Sequence, residues 1–169
     1  MKPIIAFKEI HIAFGPNKVL QGLNLSIREG ETITIIGGSG SGKSVALKLL
    51  LGVLKPDCGQ ITFGGSDVTT MTEKELIAMR KKIGMLFQGS ALFDSLDTQE
   101  NIAYPLREHF DYSEAELRRR VAEKLKMVGL PGIEKRMPAD LSGGMKKRVG
   151  LARAIASDPQ VILYDEPTT

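Results

Sequence analysis

The chain has 169 residues, 42% apolar and 25% charged, with 23 basic and 20 acidic side chains and a net charge of +3. That size is ample for one packed domain, or a core with a modest insert, and the composition excludes a disordered tail, a collagen-like fibre and a disulfide-stapled mini-protein. The single cysteine, Cys58, cannot close an internal disulfide, which favours a reducing compartment. Residues 1–4 lack the apolar run of a signal peptide, and the longest apolar stretch, 45–54, is interrupted by Lys48 and Gly52, so a soluble chain is expected.

The first thirty residues read as β. Residues 4–14 and 19–27 are rich in β-forming side chains, and Gly15-Pro16-Asn17 between them is turn chemistry, predicting an antiparallel hairpin. A third, β-branched strand is predicted over 31–36, running straight into Gly37-Gly38-Ser39-Gly40-Ser41-Gly42-Lys43-Ser44. Residues 45–54 are apolar nearly all round and predict a buried helix that stops before Pro56. Cys58, between Asp57 and Gly59, reads as a turn residue, and residues 60–63 as a short strand closed by Gly64-Gly65.

Thr72 followed by Glu75 is a capping box, predicting a helix to about residue 81. A strand follows over 83–87, then a loop over 88–97, then a short helix capped by Thr98 and ending near Glu108. Ser113 and Glu116 form a second capping box. The helix behind it puts Leu117, Val121, Leu125 and Val128 on one stripe, leaves Arg118, Arg119 and Arg120 mostly outside it, and ends at Gly129. Residues 143–157 read as a helix with Ser142 as N-cap, and 161–164 as the last strand. Alternating strands and helices imply an α/β core with a parallel sheet. The hairpin adds an antiparallel layer, and residues 89–157 read as an inserted helical lobe.

Gly37-x4-Gly42-Lys43-Ser44 fits the pattern of a phosphate-binding loop. Glycines let the backbone turn its N–H groups inward on phosphate oxygens, Lys43 supplies a point charge for the β- and γ-phosphates, and the Ser44 hydroxyl is a Mg²⁺ ligand. The nucleotide-binding set taken from this segment is Gly37, Gly38, Ser39, Gly40, Ser41, Gly42, Lys43, Ser44 and Val45. The apolar strand 161–164 ends in Asp165 and Glu166. Carboxylates at a strand's C-terminal end face a ligand crevice, Asp165 suiting the magnesium shell and Glu166 the polarisation of an attacking water. Ser142, Gly143 and Gly144 open a helix whose first N–H groups suit an anion. Between residues 135 and 153, Lys135, Arg136, Lys146, Lys147, Arg148 and Arg153 stand against Asp140 alone. That run is either a solvated helix face or a positive surface beside a phosphate ligand. His11 and His109 have no second ligand at metal spacing.

These motifs, in this order, resemble the ATP-binding subunit of an ABC transporter across the whole chain. Residues 37–44 resemble the Walker A loop, 141–145 the LSGGQ signature with Met145 in place of Gln, and 161–166 Walker B with its catalytic glutamate. The resemblance places Gln88 at the Q-loop position, a catalytic and Mg²⁺-binding residue, and Phe14 at the aromatic position that stacks on adenine. It implies a P-loop NTPase core in which residues 1–88 form the nucleotide-binding part with its β layer, 89–157 a helical subdomain and 158–169 the Walker B strand. ATP and Mg²⁺ are the implied cofactors, and Lys43, Gln88 and Glu166 the implied catalytic residues. The implied partners are a second copy, head to tail, and a permease, placing the chain on the cytoplasmic face of a bacterial inner membrane, with no nucleic acid expected.

Met85-Leu86-Phe87-Gln88-Gly89-Ser90-Ala91-Leu92-Phe93, the run 101–109 and the run 137–145 resemble the Mla-type branch, which powers phospholipid trafficking between bacterial membranes; the part 104–109 is the most particular to it. Family members continue past a Pro-Thr-Thr segment such as 167–169 to a D-loop aspartate and a strand ending in a switch histidine, so this chain reads as a piece of a longer one. Absence of that strand predicts a gap in the sheet with unpaired backbone. Two rival readings stand beside the main one. One is a nucleotide-binding module without turnover. The other is a soluble ABC protein acting on nucleic acid or ribosomes, favoured by the basic run and disfavoured by a short helical lobe without a long coiled coil.

Overall fold

In the computed structural model, which describes residues 2–87 and 89–165, the predicted hairpin forms: β1 (Ile5–Phe14) pairs antiparallel with β2 (Asn17–Ile27). The chain divides into two compact units, Met1–Arg80 and Lys81–Thr169. In the first unit, β3 (Cys58–Phe63) pairs with β1 and β4 (Ser66–Asp67) with β3, giving an antiparallel sheet of order β2-β1-β3-β4. A bulge at Glu9, whose φ is +48°, adds one residue to β1, so that Ile5, Phe7, Ile10 and Ile12 are all buried despite the change of phase. Asn24 fastens the bulge, accepting from the Glu9 N–H at 3.1 Å and donating to the Glu9 carboxylate. Cys58 is no turn residue; it opens β3 opposite His11, because Asp57 has already tied the chain to β1 by donating to the His11 carbonyl and accepting from the Ala13 N–H.

Helix α1 (Lys43–Leu50) is shorter and less enclosed than its apolar sequence predicts. It buries Ala46, Leu49 and Leu50, while Val53 beyond it is 61% exposed. Gly52, at φ +66°, ends it: the Val53 N–H bonds the Lys48 carbonyl and the Gly52 N–H bonds the Leu49 carbonyl, the paired bonds of a Schellman motif. Helix α2 (Glu73–Arg80) starts at the predicted capping box, with Thr72 N–H to Glu75 Oε2 at 2.8 Å and Glu75 N–H to Thr72 Oγ1 at 3.4 Å. The strand expected over 31–36 is absent, and Ile36 is 92% exposed. β-branched residues favour extended backbone, but a strand also needs a ladder partner, and no strand of the described residues pairs with this segment.

In the second unit the two predicted strands form, β5 (Ile83–Leu86) and β6 (Val161–Tyr164), and pair parallel in register from Ile83↔Val161 to Leu86↔Tyr164. Helices α3 (Thr98–His109), α4 (Glu114–Met127) and α5 (Gly143–Ala154) enclose one core, in which Ile102, Leu106, Leu117, Val121, Leu125 and Val149 are buried. The cap of α3 is Asp97, not Thr98. Its carboxylate accepts from the Glu100 N–H at 2.8 Å, and the Thr98 hydroxyl donates instead to the Arg136 carbonyl. Ser113 caps α4 by accepting from the Glu116 N–H, but the Glu116 carboxylate turns to Arg119 and Arg120 rather than closing the box. The Arg119 guanidinium lowers its pKa to about 2. Buried Lys124 on α4 donates to Asp158 Oδ1 at 2.5 Å and holds that carboxyl below the usual carboxylate range.

Helix α5 lies unusually close to β5. A Cβ at Gly84 would collide with the Ala154 carbonyl oxygen, and one at Gly150 would sit 3.0 Å from Leu86 Cδ1 and 3.0 Å from Ser90 Cβ. Gly84→Ala is therefore expected to destabilise the protein by on the order of 1–3 kcal/mol, because backbone rather than a flexible side chain must yield. The check is the midpoint of urea unfolding, and an unchanged midpoint would show that the seam is not tight.

Candidate functional site

The first unit carries the glycine-rich loop. Gly42 is the N-cap of α1, in the left-handed region at φ +93°, and offers no side chain to cap the helix. A Cβ there would lie 2.9 Å from Leu20 Cδ2 and 3.0 Å from Val19 Cγ1, so only glycine lets the loop press on β2. A Cβ at Gly37 would meet Ser41 Oγ at 2.5 Å, which shows how tightly the loop folds on itself; the Ser41 N–H reaches the Gly38 carbonyl at 3.2 Å. The Lys43 ammonium donates to the carbonyls of Gly37 at 2.7 Å and Gly38 at 3.0 Å. The loop thus wraps a cation at the start of a helix whose first-turn N–H groups have no acceptor within the helix. That combination suits an anion with several oxygens, which takes over Lys43 from the two carbonyls and adds the favourable end of the helix dipole.

Ser39 and Gly40 complete the turn, Gly40 at φ +79°, and half-buried Ser44 and Val45 stand in the first turn of α1. Phe14 ends β1 opposite Asn17 and is 48% exposed, so it is no core residue. Val19 and Leu20, against which Gly42 packs, lie on the same hairpin, with Leu20 opposite Ile12.

In the second unit Ser142 caps α5, its hydroxyl accepting from the Met145 N–H at 3.3 Å. Ser142, Gly143 and Gly144 are exposed, and a Cβ at either glycine would meet nothing within 4 Å. Asp165 follows β6, where its N–H donates to the Leu86 carbonyl at 3.0 Å, extending the parallel ladder by one residue. Asp165 therefore leaves the pair at the end where β5 gives way to Phe87. Gln88 and Glu166, next in sequence after these strand ends, lie outside the described residues.

The basic run is not one solvated face. Arg148 donates to the carbonyls of Val128 and Gly129 just past α4, Lys135 pairs with Asp97 at 3.2 Å, and Arg153 donates to the carbonyls of Ser90 and Ala91. Sequence reasoning missed this use of Arg153. It also missed buried Asn101, which accepts from the Phe93 N–H and donates to the carbonyls of Phe93, Leu96 and Asp97, stapling the loop ahead of α3. Among the described residues no group of three or more His, Cys, Asp and Glu side chains is placed to hold a metal. A hydroxyl, an amide oxygen and one carboxylate, as in Ser44, Gln88 and Asp165, are hard oxygen donors that fit Mg²⁺, which keeps several waters and substrate oxygens rather than a protein cage. Among the described residues no helix is long and apolar enough to cross a membrane.

A family model described as ABC transporter matches residues 20–169. The chain is 47% identical over 163 residues to the probable ribonucleotide transport ATP-binding protein mkl of Mycobacterium leprae, covering 96% of this chain and 47% of that protein. It is 44% identical over 166 residues to the intermembrane phospholipid transport system ATP-binding protein MlaF of Haemophilus influenzae, covering 98% and 63%. The chain thus spans about half the length of the curated relatives it matches. A solved dimeric ATP-binding cassette in a post-hydrolysis state, bound to ADP and Pi, superposes with a TM-score of 0.86 at 35% identity, covering 97% of this chain and 74% of that one.

Proposed function

From the chain's membership of the ABC transporter family, we propose that it is the ATP-binding and hydrolysing subunit of a transporter for phospholipid. The observation that carries the nucleotide reading is the Lys43 ammonium held inside a glycine-built loop on a helix start that no side chain caps. In this reading Phe14 stacks on the base, residues 37–45 cradle the phosphates, and Lys43 neutralises the β- and γ-phosphates. Ser44, Gln88 and Asp165 would hold Mg²⁺, which would neutralise negative charge on the phosphate oxygens.

Glu166 polarises water and takes up its proton as the water oxygen attacks the γ-phosphorus and the bond to the β–γ bridging oxygen breaks, leaving ADP and phosphate. A second copy presents its Ser142, Gly143 and Gly144 to the γ-phosphate. The open space around both glycines supports a close approach there, since the fold itself leaves room for a side chain at either. Closing the two copies excludes water and completes the shell of donors. The segment 89–157 acts as the lobe through which Gln88 reports nucleotide state to a permease on the cytoplasmic face of the inner membrane.

The two relatives named above differ in cargo, one named for ribonucleotide and one for phospholipid. The run 104–109, which forms the end of α3, favours phospholipid. The test is to isolate the full-length protein with its membrane partners in detergent, then measure ATP hydrolysis and the bound small molecules. Hydrolysis with co-purifying phospholipid is expected. Hydrolysis with ribonucleotide cargo and no lipid overturns the cargo, and absence of hydrolysis overturns the enzyme.

A further inference from the structure

Phe14 stands where the ladders on both sides of β1 become irregular. On the β2 side the register slips between Ile12↔Leu20 and Ala13↔Lys18, which leaves Val19 as the extra residue of a bulge. On the β3 side the register ends at His11↔Cys58. Asp57 takes the next step along that edge. Its backbone N–H donates to the His11 carbonyl at 2.9 Å, and its carboxylate Oδ2 accepts from the Ala13 N–H at 2.8 Å. A continuing strand would receive the Ala13 N–H on a backbone carbonyl; here a side-chain oxygen does so. Ala13 is thus clamped one residue before Phe14. Phe14 itself closes the turn opposite Asn17 and is 48% exposed, so the backbone behind it, rather than enclosure of the ring, sets where it stands. Asp57 also lies on the chain leaving the phosphate loop, since residues 51–56 lead to it from the end of α1. On the other edge the bulged Val19 meets that loop directly, its Cγ1 3.0 Å from where a Cβ at Gly42 would be.

We infer that Asp57 is a positioning residue for the base of the nucleotide: standing in for a strand partner at Ala13, it holds Phe14 at a fixed place beside the phosphate loop. The inference rests on the reading of Phe14 as the stacking residue and adds to it a residue that touches neither base nor phosphate. The Ala13–Asp57 bond is exposed, so it contributes little to the stability of the fold and acts locally, on the last residues of β1. A stacking ring that is already in place when the phosphates bind has less freedom to lose, and that difference appears as affinity for the base.

The test is a double-mutant cycle on ligand binding by the full-length protein, comparing wild type, Phe14→Ala, Asp57→Ala and the pair. Two Kd values are measured for each, one for a non-hydrolysable ATP analogue and one for inorganic tripolyphosphate, which has the phosphates without the base. Phe14→Ala is expected to weaken the ATP analogue about tenfold, the scale of one lost base–aromatic stack. Asp57→Ala should weaken it about three- to fivefold, and both variants should bind tripolyphosphate within about twofold of wild type. Added to Phe14→Ala, the Asp57 substitution should cost less than about a further 1.5-fold, because its effect passes through the ring. Asp57→Asn, whose amide oxygen still accepts from Ala13, should bind the analogue within about twofold of wild type. Asp57→Glu keeps the charge but carries the acceptor one methylene further out; it should show the alanine pattern at smaller size, and it carries the cycle if the alanine variant does not fold. Equal loss from the Asp57 substitution with and without Phe14, or equal weakening of the analogue and tripolyphosphate, overturns the clamp and leaves the stacking role of Phe14 standing. A Phe14→Ala protein that binds the analogue as wild type does overturns that stacking role, and the clamp with it, while leaving the phosphate loop in place.

Discussion

Lys43→Ala is expected to abolish ATP binding at concentrations that saturate the parent. The ammonium is the point charge around which the loop is wound, and it donates to the carbonyls of Gly37 and Gly38 within that loop. Removing a charged donor from a phosphate pocket costs roughly 3–4 kcal/mol, or two to three orders of magnitude in Kd. The same bonds are exposed to solvent in the unliganded chain, so their loss should cost the fold under about 1 kcal/mol. The measurement is a titration with a fluorescent ATP analogue beside a thermal melt. Lost binding at an unchanged melting temperature is expected, and affinity within twofold of wild type would remove Lys43 from the site.

Glu166→Gln separates binding from chemistry. Glutamine keeps the size and hydrogen-bonding reach of glutamate but cannot serve as a base, so hydrolysis is expected to fall by about 10²–10⁴ while ATP still binds. Removing a negative charge beside the γ-phosphate also favours retention of the uncleaved nucleotide. ATP-dependent dimers should therefore accumulate on gel filtration and contain ATP rather than ADP. Turnover at the wild-type rate would hand the role of water activation to another residue.

What the sequence announced was mostly local. The Thr72–Glu75 box, the stripe through Leu117, Val121 and Leu125, and the parallel strand ending at Asp165 all follow from spacing alone, and the structure has them. Asp97 and Thr98 are both cap formers in adjacent positions. The spacing of Asp97 to Glu100 carried the signal, and the wider loop obscured it. Residues 31–36 read as a strand and form none, because a strand needs a ladder partner and pairing is a property of that partner. Arg153 shows the deeper limit. Its acceptors are backbone carbonyls 62 and 63 residues away, and a carbonyl has no letter in a sequence. A basic run therefore looked uniform when its members in fact do separate jobs.

The empty space beside Gly143 and Gly144 has a consequence for anyone who would strengthen this protein. Glycine inside a helix forfeits roughly 0.5–1 kcal/mol against alanine, so a search for sturdier variants would settle on these two positions first. Each replacement would raise the melting point of the isolated polypeptide and, in the proposed dimer, would obstruct the approach of this helix start to the triphosphate held by the other copy. At that helix start, robustness and work are set against each other.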